Sequence, residues 1–401
     1  MTAASAPPQP AFPPTAYVVL GALSLCHLLN DTIQSLLPAL YPVLQENYAL
    51  TFTQIGFLHF AFQTVASLLQ PVVGWWTDVR PRFRLLPIGM GMSLIGLLIL
   101  AFAHSYVVLL LAAVCVGLGS SIFHPDASKL ARAASGGRFG MAQSVFQVGG
   151  NTGTAIGPLL AAFIVLPLGQ SSVAWFSALA LLGAVVLWRV GTWARDQHVR
   201  RSKAPVAVEV SALSQNHVIG VISVLGLLVF SKYLYVTSLT SFYTFYVIEK
   251  FGVSVQQSQL LLFVFLGAIA VGTFAGGPIG DRIGRKAVIW GSILGALPFT
   301  LILPHVNLFW TAFLTVIIGV VLASAFSAIL VYAQSLVPGR VGLISGMFFG
   351  FAFGIAGVGA AILGALADWK GLDFVFAVCA FLPLIGLLTV FLPAERDLVR
   401  R

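Results

Sequence analysis

Apolar residues run along this 401-residue chain in blocks of about 20, parted by short stretches of charge, proline and glycine. Twelve blocks can be read from those breaks: 16–41, 55–76, 85–104, 106–125, 139–168, 173–194, 218–247, 258–280, 287–304, 308–333, 341–367 and 372–393. A helix of about 20 residues, rising about 1.5 Å per residue, crosses the roughly 30 Å hydrocarbon core of a bilayer. Membrane strands would instead alternate over segments of about ten residues, and these blocks are too long and too evenly apolar for that. The pattern predicts an all-α membrane protein with twelve transmembrane helices.

Composition agrees. The chain is 59% hydrophobic and 8% charged, whereas an ordinary soluble domain carries roughly 25% charged residues. Water-soluble enzyme folds are excluded on that ground. The net charge of +9 comes from residues between the blocks and forms no basic domain, so the expected partner is the lipid bilayer and not nucleic acid. Cys26, Cys115 and Cys379 lie far apart inside apolar blocks, which gives neither a disulfide framework nor a zinc motif.

Cytoplasmic loops of membrane proteins carry an excess of Lys and Arg. Of the 21 such residues, only Lys250 and Lys370 fall in the loops of one side, Lys232 falls in the middle of a block, and the rest gather on the other side. Both termini are therefore expected in the cytoplasm. Residues 1–16 contain five prolines and no Lys or Arg; they lack the basic start of a signal peptide and read as a disordered tail. The polar stretch 195–217 reads as a cytoplasmic linker between two halves, 17–194 and 218–393, and 394–401 as a cytoplasmic tail. A shift of 203 residues aligns Gly74 and Asp78 with Gly277 and Asp281, and a shift of 202 aligns Gly137, Arg138 and Gly140 with Gly339, Arg340 and Gly342. Such a repeat predicts two pseudo-symmetric six-helix bundles with a site at their interface.

The run from Gly277 to Lys286, reading Gly277-Pro278-Ile279-Gly280-Asp281-Arg282-Ile283-Gly284-Arg285-Lys286, closely resembles the signature loop of the major facilitator superfamily. Its glycines permit a tight turn and close helix approach, and its Asp can face a positive helix N-terminus. A weaker copy, Gly74 to Arg82, keeps Gly74 and Asp78. In the resemblance these residues form a cytoplasmic gate, with Asp281 facing the start of the pseudo-symmetric helix near Arg138 and Asp78 the one near Arg340. Gly153 to Pro158 is similar to the helix-five motif of superfamily antiporters, although Leu159-Leu160-Ala161-Ala162 stands where a second glycine pair is expected.

At finer grain the chain resembles the fosmidomycin resistance protein family. The resemblance is carried by Ser24 to Asp31, Leu69 to Gly74, Phe123 to Asp126, Gln143 to Asn151, Phe230 to Tyr233 and Phe326 to Gln334, and it spans residues 17–393. Asp126 stands where that family is expected to have Glu. The resemblance implies the major facilitator fold and proton-driven efflux of fosmidomycin, a small hydroxamate phosphonate, across a bacterial inner membrane by a monomer without a cofactor.

Ionisable groups at bilayer depth cost roughly 2.5–3.5 kcal/mol each on insertion scales, so they usually face a cavity. In the first block Ser24, His27, Asp31, Gln34 and Pro38 recur at helical spacing, and Asp31 is the one acid of that stripe. It is the first candidate for the coupling proton. Lys232 has Tyr235, Leu239, Tyr243 and Tyr246 at offsets of 3, 7, 11 and 14, an aromatic and cationic wall that either binds an anion or balances Asp31 or Asp126. His124 shares a face with Gly117, Ser120, Ser121 and Ser128 and is a candidate both for substrate contact and for the proton; Asp126, about 200° further round and near Lys129, is either a third proton candidate or a structural pair. Gln63 in the second block, and Gln147 and Asn151 in the fifth, sit on polar stripes that either line the cavity or bind helices together. The sequence holds no phosphate-binding loop, metal cluster or nucleophile constellation, so neither cofactor nor metal is expected and the protein is read as no enzyme. Uptake of an anionic metabolite by proton symport is the rival reading, and a membrane enzyme or sensor would need an extramembrane domain.

Overall fold

The computed structural model describes residues 14–50, 52–202, 210–211 and 213–400. Residues 1–13 of the expected tail, 203–209 and 212 of the expected linker, and Arg401 lie outside them. The helices are α1 Tyr17–Ala39, continued by Tyr41–Tyr48; α2 Phe52–Val79; α3 Leu85–Ala101; α4 Tyr106–Ala134; α5 Phe139–Leu160; and α6 Ser177–Ser202. The second half holds α7 Gln215–Phe251, α8 Val255–Ile283, α9 Arg285–Ile302, α10 Leu308–Ala323 with Ala325–Leu336, α11 Val341–Lys370 and α12 Leu372–Cys379 followed by Leu382–Phe391. Among the described residues nine helices are long and apolar enough to cross a membrane, and α3 is a shorter apolar one. The two that remain, α1 and α5, are those that the polar stripes dilute. Together these account for the twelve blocks.

Local chemistry ends each helix. Gly252 adopts φ 64° and Gly284 φ 92°, left-handed conformations that cost glycine nothing and stop α7 and part α8 from α9 at a single residue. Ser254 opens α8 with a capping box, its Oγ accepting from Gln257 N while Gln257 Oε1 accepts from Ser254 N. Pro125 does not end α4 where the apolar block stops at residue 125. The helix runs on to Ala134 because packed neighbours bury the turn around it, with His124 and Asp126 both buried. The linker is likewise shorter than 195–217, since α6 continues to Ser202 and α7 starts at Gln215. Arg195, Asp196 and Gln197 do not oblige a helix to stop once it leaves the apolar layer.

Each half packs as a six-helix group. In the first, α1 lies on α5, α3 on α4 and α2 on α4; in the second, α7 lies on α11, α8 on α10 and α9 on α12. The groups meet where α2 packs on α11 and α5 on α8, two contacts that exchange under the internal repeat. Their outer faces are apolar, with Val18, Phe163, Phe245, Val271 and Trp369 all exposed. In water that surface would aggregate; in lipid it is satisfied. Loops carrying most of the basic residues share one end with both described ends of the chain. There Thr15 Oγ1 donates to Ser135 O at 2.9 Å, the Arg285 guanidinium meets Glu395 at 2.7 Å, and Val210 pairs with Arg400 in a two-residue antiparallel ladder. Residues 394–400 thus dock on the second half and form no free tail.

Candidate functional site

At the basic end the two halves are fastened by a pair of matched contacts. Asp281 at the end of α8 accepts from Gly140 N at 2.9 Å and Met141 N at 2.8 Å, the first free amides of α5. Asp78 at the end of α2 accepts from Gly342 N at 2.9 Å and Leu343 N at 2.8 Å, the first amides of α11. Each carboxylate satisfies orphan donors at a helix N-terminus, where the helix dipole favours negative charge. The backbones approach so closely that a Cβ on Gly140 or Gly342 would stand 2.7 Å from the carbonyl oxygen of Gly277 or Gly74. The arginines named with these contacts behave differently. Arg138 donates to the Tyr17 hydroxyl at 2.9 Å, and the amides of α5 and α11 rather than Arg138 and Arg340 face the two carboxylates. Arg285 and Lys286 engage the C-terminal segment, through Glu395 and Leu392 O, while Arg285 also lies 3.7 Å from Asp281. Arg282 is exposed.

Deeper in the first half, three titratable groups meet. Asp31 of α1 lies 3.3 Å from His27 Nε2 through Oδ2 and 3.3 Å from His124 Nε2 through Oδ1. Both imidazoles are fully buried, and the Asp31 side chain keeps 13% exposure. Gln34 and Asn30 each donate an amide hydrogen to Asp31 Oδ1 at 3.0 Å. The spacing of four residues puts His27 and Asp31 on one face of α1, and α4 delivers His124 from the side. Across the bundle boundary the His124 ring touches Phe349 and Phe353 of α11, with centroids 5.2 and 5.0 Å away.

A cavity of about 160 Å³ opens between the halves, walled by α5, α7, α8 and α10. Its polar lining is Gln147, Asn151 and Thr154 on one side and Lys232, Tyr233, Thr240 and Thr273 on the other. Lys232 Nζ rests 5.0 Å from the Tyr233 ring centre and 5.2 Å from that of Phe326. No carboxylate of the described residues lies within 4 Å of it. Aromatic faces compensate a cation only in part, and this side chain is 6% exposed. Tyr233 lines the cavity and lies within electrostatic reach of Asp31.

Tyr235 and Tyr243 are not on this wall. Both are buried in the apolar core of the second half, Tyr243 reaching Thr315 at 3.4 Å, because the cavity-facing stripe of α7 runs through Lys232, Val236 and Thr240, turned away from Tyr235 and Tyr243. His124 belongs with Asp31 and lies outside the lining of the Lys232 cavity. Asp126 stands apart from Asp31 and pairs with Lys129 at 2.7 Å, next to Thr77 and Asp78. Gln34 is bound to Asp31, and Gln63 is half-buried beside Gly357; neither lines the cavity. The site residues that sequence reasoning left out are His27 and Tyr233. The spacing of four from His27 to Asp31 was the available signal for the first, and adjacency to Lys232 for the second.

The sequence profile of the Major Facilitator Superfamily matches residues 23–246 and 225–401. The chain belongs to the Major Facilitator Superfamily. It is 58% identical over 382 residues to the fosmidomycin resistance protein of Escherichia coli K12, covering 95% of this chain and 94% of that one. It is 42% identical over 388 residues to the MFS-type transporter YfnC of Bacillus subtilis, covering 96% and 95% of the two chains. Among solved structures it superposes on the human organic anion transporter MFSD10 with TM-score 0.71 at 18% identity, over 94% of this chain and all of that one. The Escherichia coli fucose:proton symporter FucP superposes with TM-score 0.69 at 13% identity, over 94% of this chain and 98% of that one. Superfamily membership makes the protein a multi-pass small-molecule transporter and not an enzyme.

Proposed function

We propose that this transporter exports fosmidomycin or a similar small phosphonate from a bacterial cytoplasm in exchange for protons, working as a monomer by alternating access. The observation that carries the reading is Lys232, a basic side chain at membrane depth on the cavity wall with no carboxylate of the described residues within 4 Å. A phosphonate supplies the missing charge, and Gln147, Asn151, Thr154 and Thr240 supply the hydrogen bonds a polar anion loses on leaving water. The relative at 58% identity adds the substrate's identity through its name. With the basic end in the cytoplasm, which the excess of Lys and Arg favours, the Asp78 and Asp281 contacts close the cytoplasmic side. The proton load is held where His124 meets Asp31, and because His124 packs on Phe349 and Phe353 of the other half, protonation there bears directly on how the halves meet.

The test is resistance. Cells relying on the wild-type protein should grow in fosmidomycin, and cells with Lys232→Gln at equal membrane abundance should not. Full resistance in the Gln variant would refute the anion site.

A further inference from the structure

His27 and His124 approach Asp31 with their ring nitrogens already sorted. His27 Nδ1 lies 2.8 Å from Phe146 O, and His124 Nδ1 lies 3.0 Å from Ser120 O and 3.3 Å from the Ser120 hydroxyl, whose oxygen can also accept. A carbonyl oxygen only accepts, so each Nδ1 carries the hydrogen, and each Nε2 is left as the one place for a further proton. Both Nε2 atoms are buried with no hydrogen-bond partner, and each faces its own oxygen of Asp31 at 3.3 Å. Two nitrogen lone pairs against a carboxylate repel. A proton on either nitrogen turns that repulsion into a charge-assisted N–H···O bond. Since the two rings use opposite oxygens, both bonds can form together. Gly150 keeps the meeting point clear, because a Cβ there would stand 2.8 Å from Asp31 Oδ2.

Resting on the proton-coupled reading above, we infer that His27, Asp31 and His124 form a two-proton site in which the carboxylate stays ionised and each Nε2 carries one transported proton. Loading takes two protons from water on the far side onto the two Nε2 lone pairs, moving the charge of the group from −1 to +1. Release returns both to water on the basic side and restores −1. The other titratable groups nearby are Tyr233 and Lys232 on α7. On α4, Asp126 is taken up by Lys129, and among the described residues α5 and α11 present Gly150, Phe146, Phe349 and Phe353, which carry no charge.

Histidine ¹⁵N NMR of the full chain in nanodiscs tests this without any substrate. Of the seven histidines, two should show the uncommon Nδ1–H neutral form when unloaded, and both should become doubly protonated when the sample is acidified. His27→Asn and His124→Asn should each remove one of these signals, and Asn is chosen because its amide can still donate to the carbonyl that Nδ1 served. Two imidazoles that stay neutral while a protonated carboxyl band vanishes in Asp31→Asn would overturn the proposal and put the proton on the acid. Stoichiometric zinc held by the purified protein and lost in His27→Asn would also overturn it. In voltage-clamped proteoliposomes with a gradient of one pH unit, two protons set a limit near 100-fold for fosmidomycin accumulation and one proton a limit near tenfold, at about 1.36 kcal/mol per proton per pH unit. His27→Asn should fall from the first to the second. If fosmidomycin is not transported while both imidazoles titrate as described, the substrate reading fails and the two-proton site stands.

Discussion

Replacing Asp281 by Asn keeps the shape of the basic-end contact and removes its charge. The wild-type carboxylate receives two backbone hydrogens, from Gly140 at 2.9 Å and Met141 at 2.8 Å, with its side chain 17% exposed. Hydrogen bonds to a charged group contribute about 1.5–3 kcal/mol each, and neutral ones nearer about 1. In the Asn variant one oxygen still accepts, while the amide NH₂ is set against a backbone N–H that it cannot receive. Partial solvent access holds the loss to the low end, about 2 kcal/mol, which shifts the equilibrium between the sealed and unsealed states by roughly 30-fold. Spin labels at the exposed Arg82 and Ile283, one on each half, would report the separation of the basic ends by pulsed electron resonance. A long-distance population should appear in Asp281→Asn and again in Asp78→Asn, whose contacts have the same lengths. A distance distribution identical to wild type in both variants would refute the reasoning.

Other substitutions probe the rest of the site. Lys232→Arg keeps the charge but alters reach and geometry, so fosmidomycin binding should weaken by about tenfold and persist; equal affinity in Lys232→Arg and Lys232→Gln, read by calorimetry, would contradict a direct contact. Tyr243→Phe removes one long hydrogen bond inside the apolar core and should lower thermal stability by no more than about 1 kcal/mol while leaving transport rates unchanged. Gly150→Ala forces a methyl group against His27 and Asp31; vesicle assays should find proton-coupled transport lost with protein abundance retained, and normal coupling would show that the meeting point tolerates filling.

The membrane fold was legible because its signal is one-dimensional: block length, charge asymmetry and the 203- and 202-residue offsets need no knowledge of neighbours. The matched Asp78 and Asp281 contacts were legible for the same reason, being written twice. The helix starts they face were legible from the same repeat, whereas the individual amides were not, since a backbone N–H leaves no residue-specific trace. Which face of α7 meets the cavity depends on how the helix is rotated in its bundle, and on a helix apolar all round that rotation is fixed by packing; Tyr235 and Tyr243 were assigned to the wrong side, and Tyr233 was overlooked. His27 was visible as a stripe member on α1, but its role depends on α4 bringing His124 to the other oxygen of Asp31, a contact between positions 93 residues apart.

Proton-driven movement of the anion is the central claim, and inverted membrane vesicles test it most directly. With fosmidomycin outside and the vesicle lumen acidified, wild-type protein should accumulate the drug in the lumen above its external concentration. Collapsing the pH gradient should abolish that accumulation, and Lys232→Gln and Asp31→Asn vesicles should show none. Accumulation that is unaffected when the gradient is collapsed, or that appears only when the gradient is reversed, would contradict export by proton exchange.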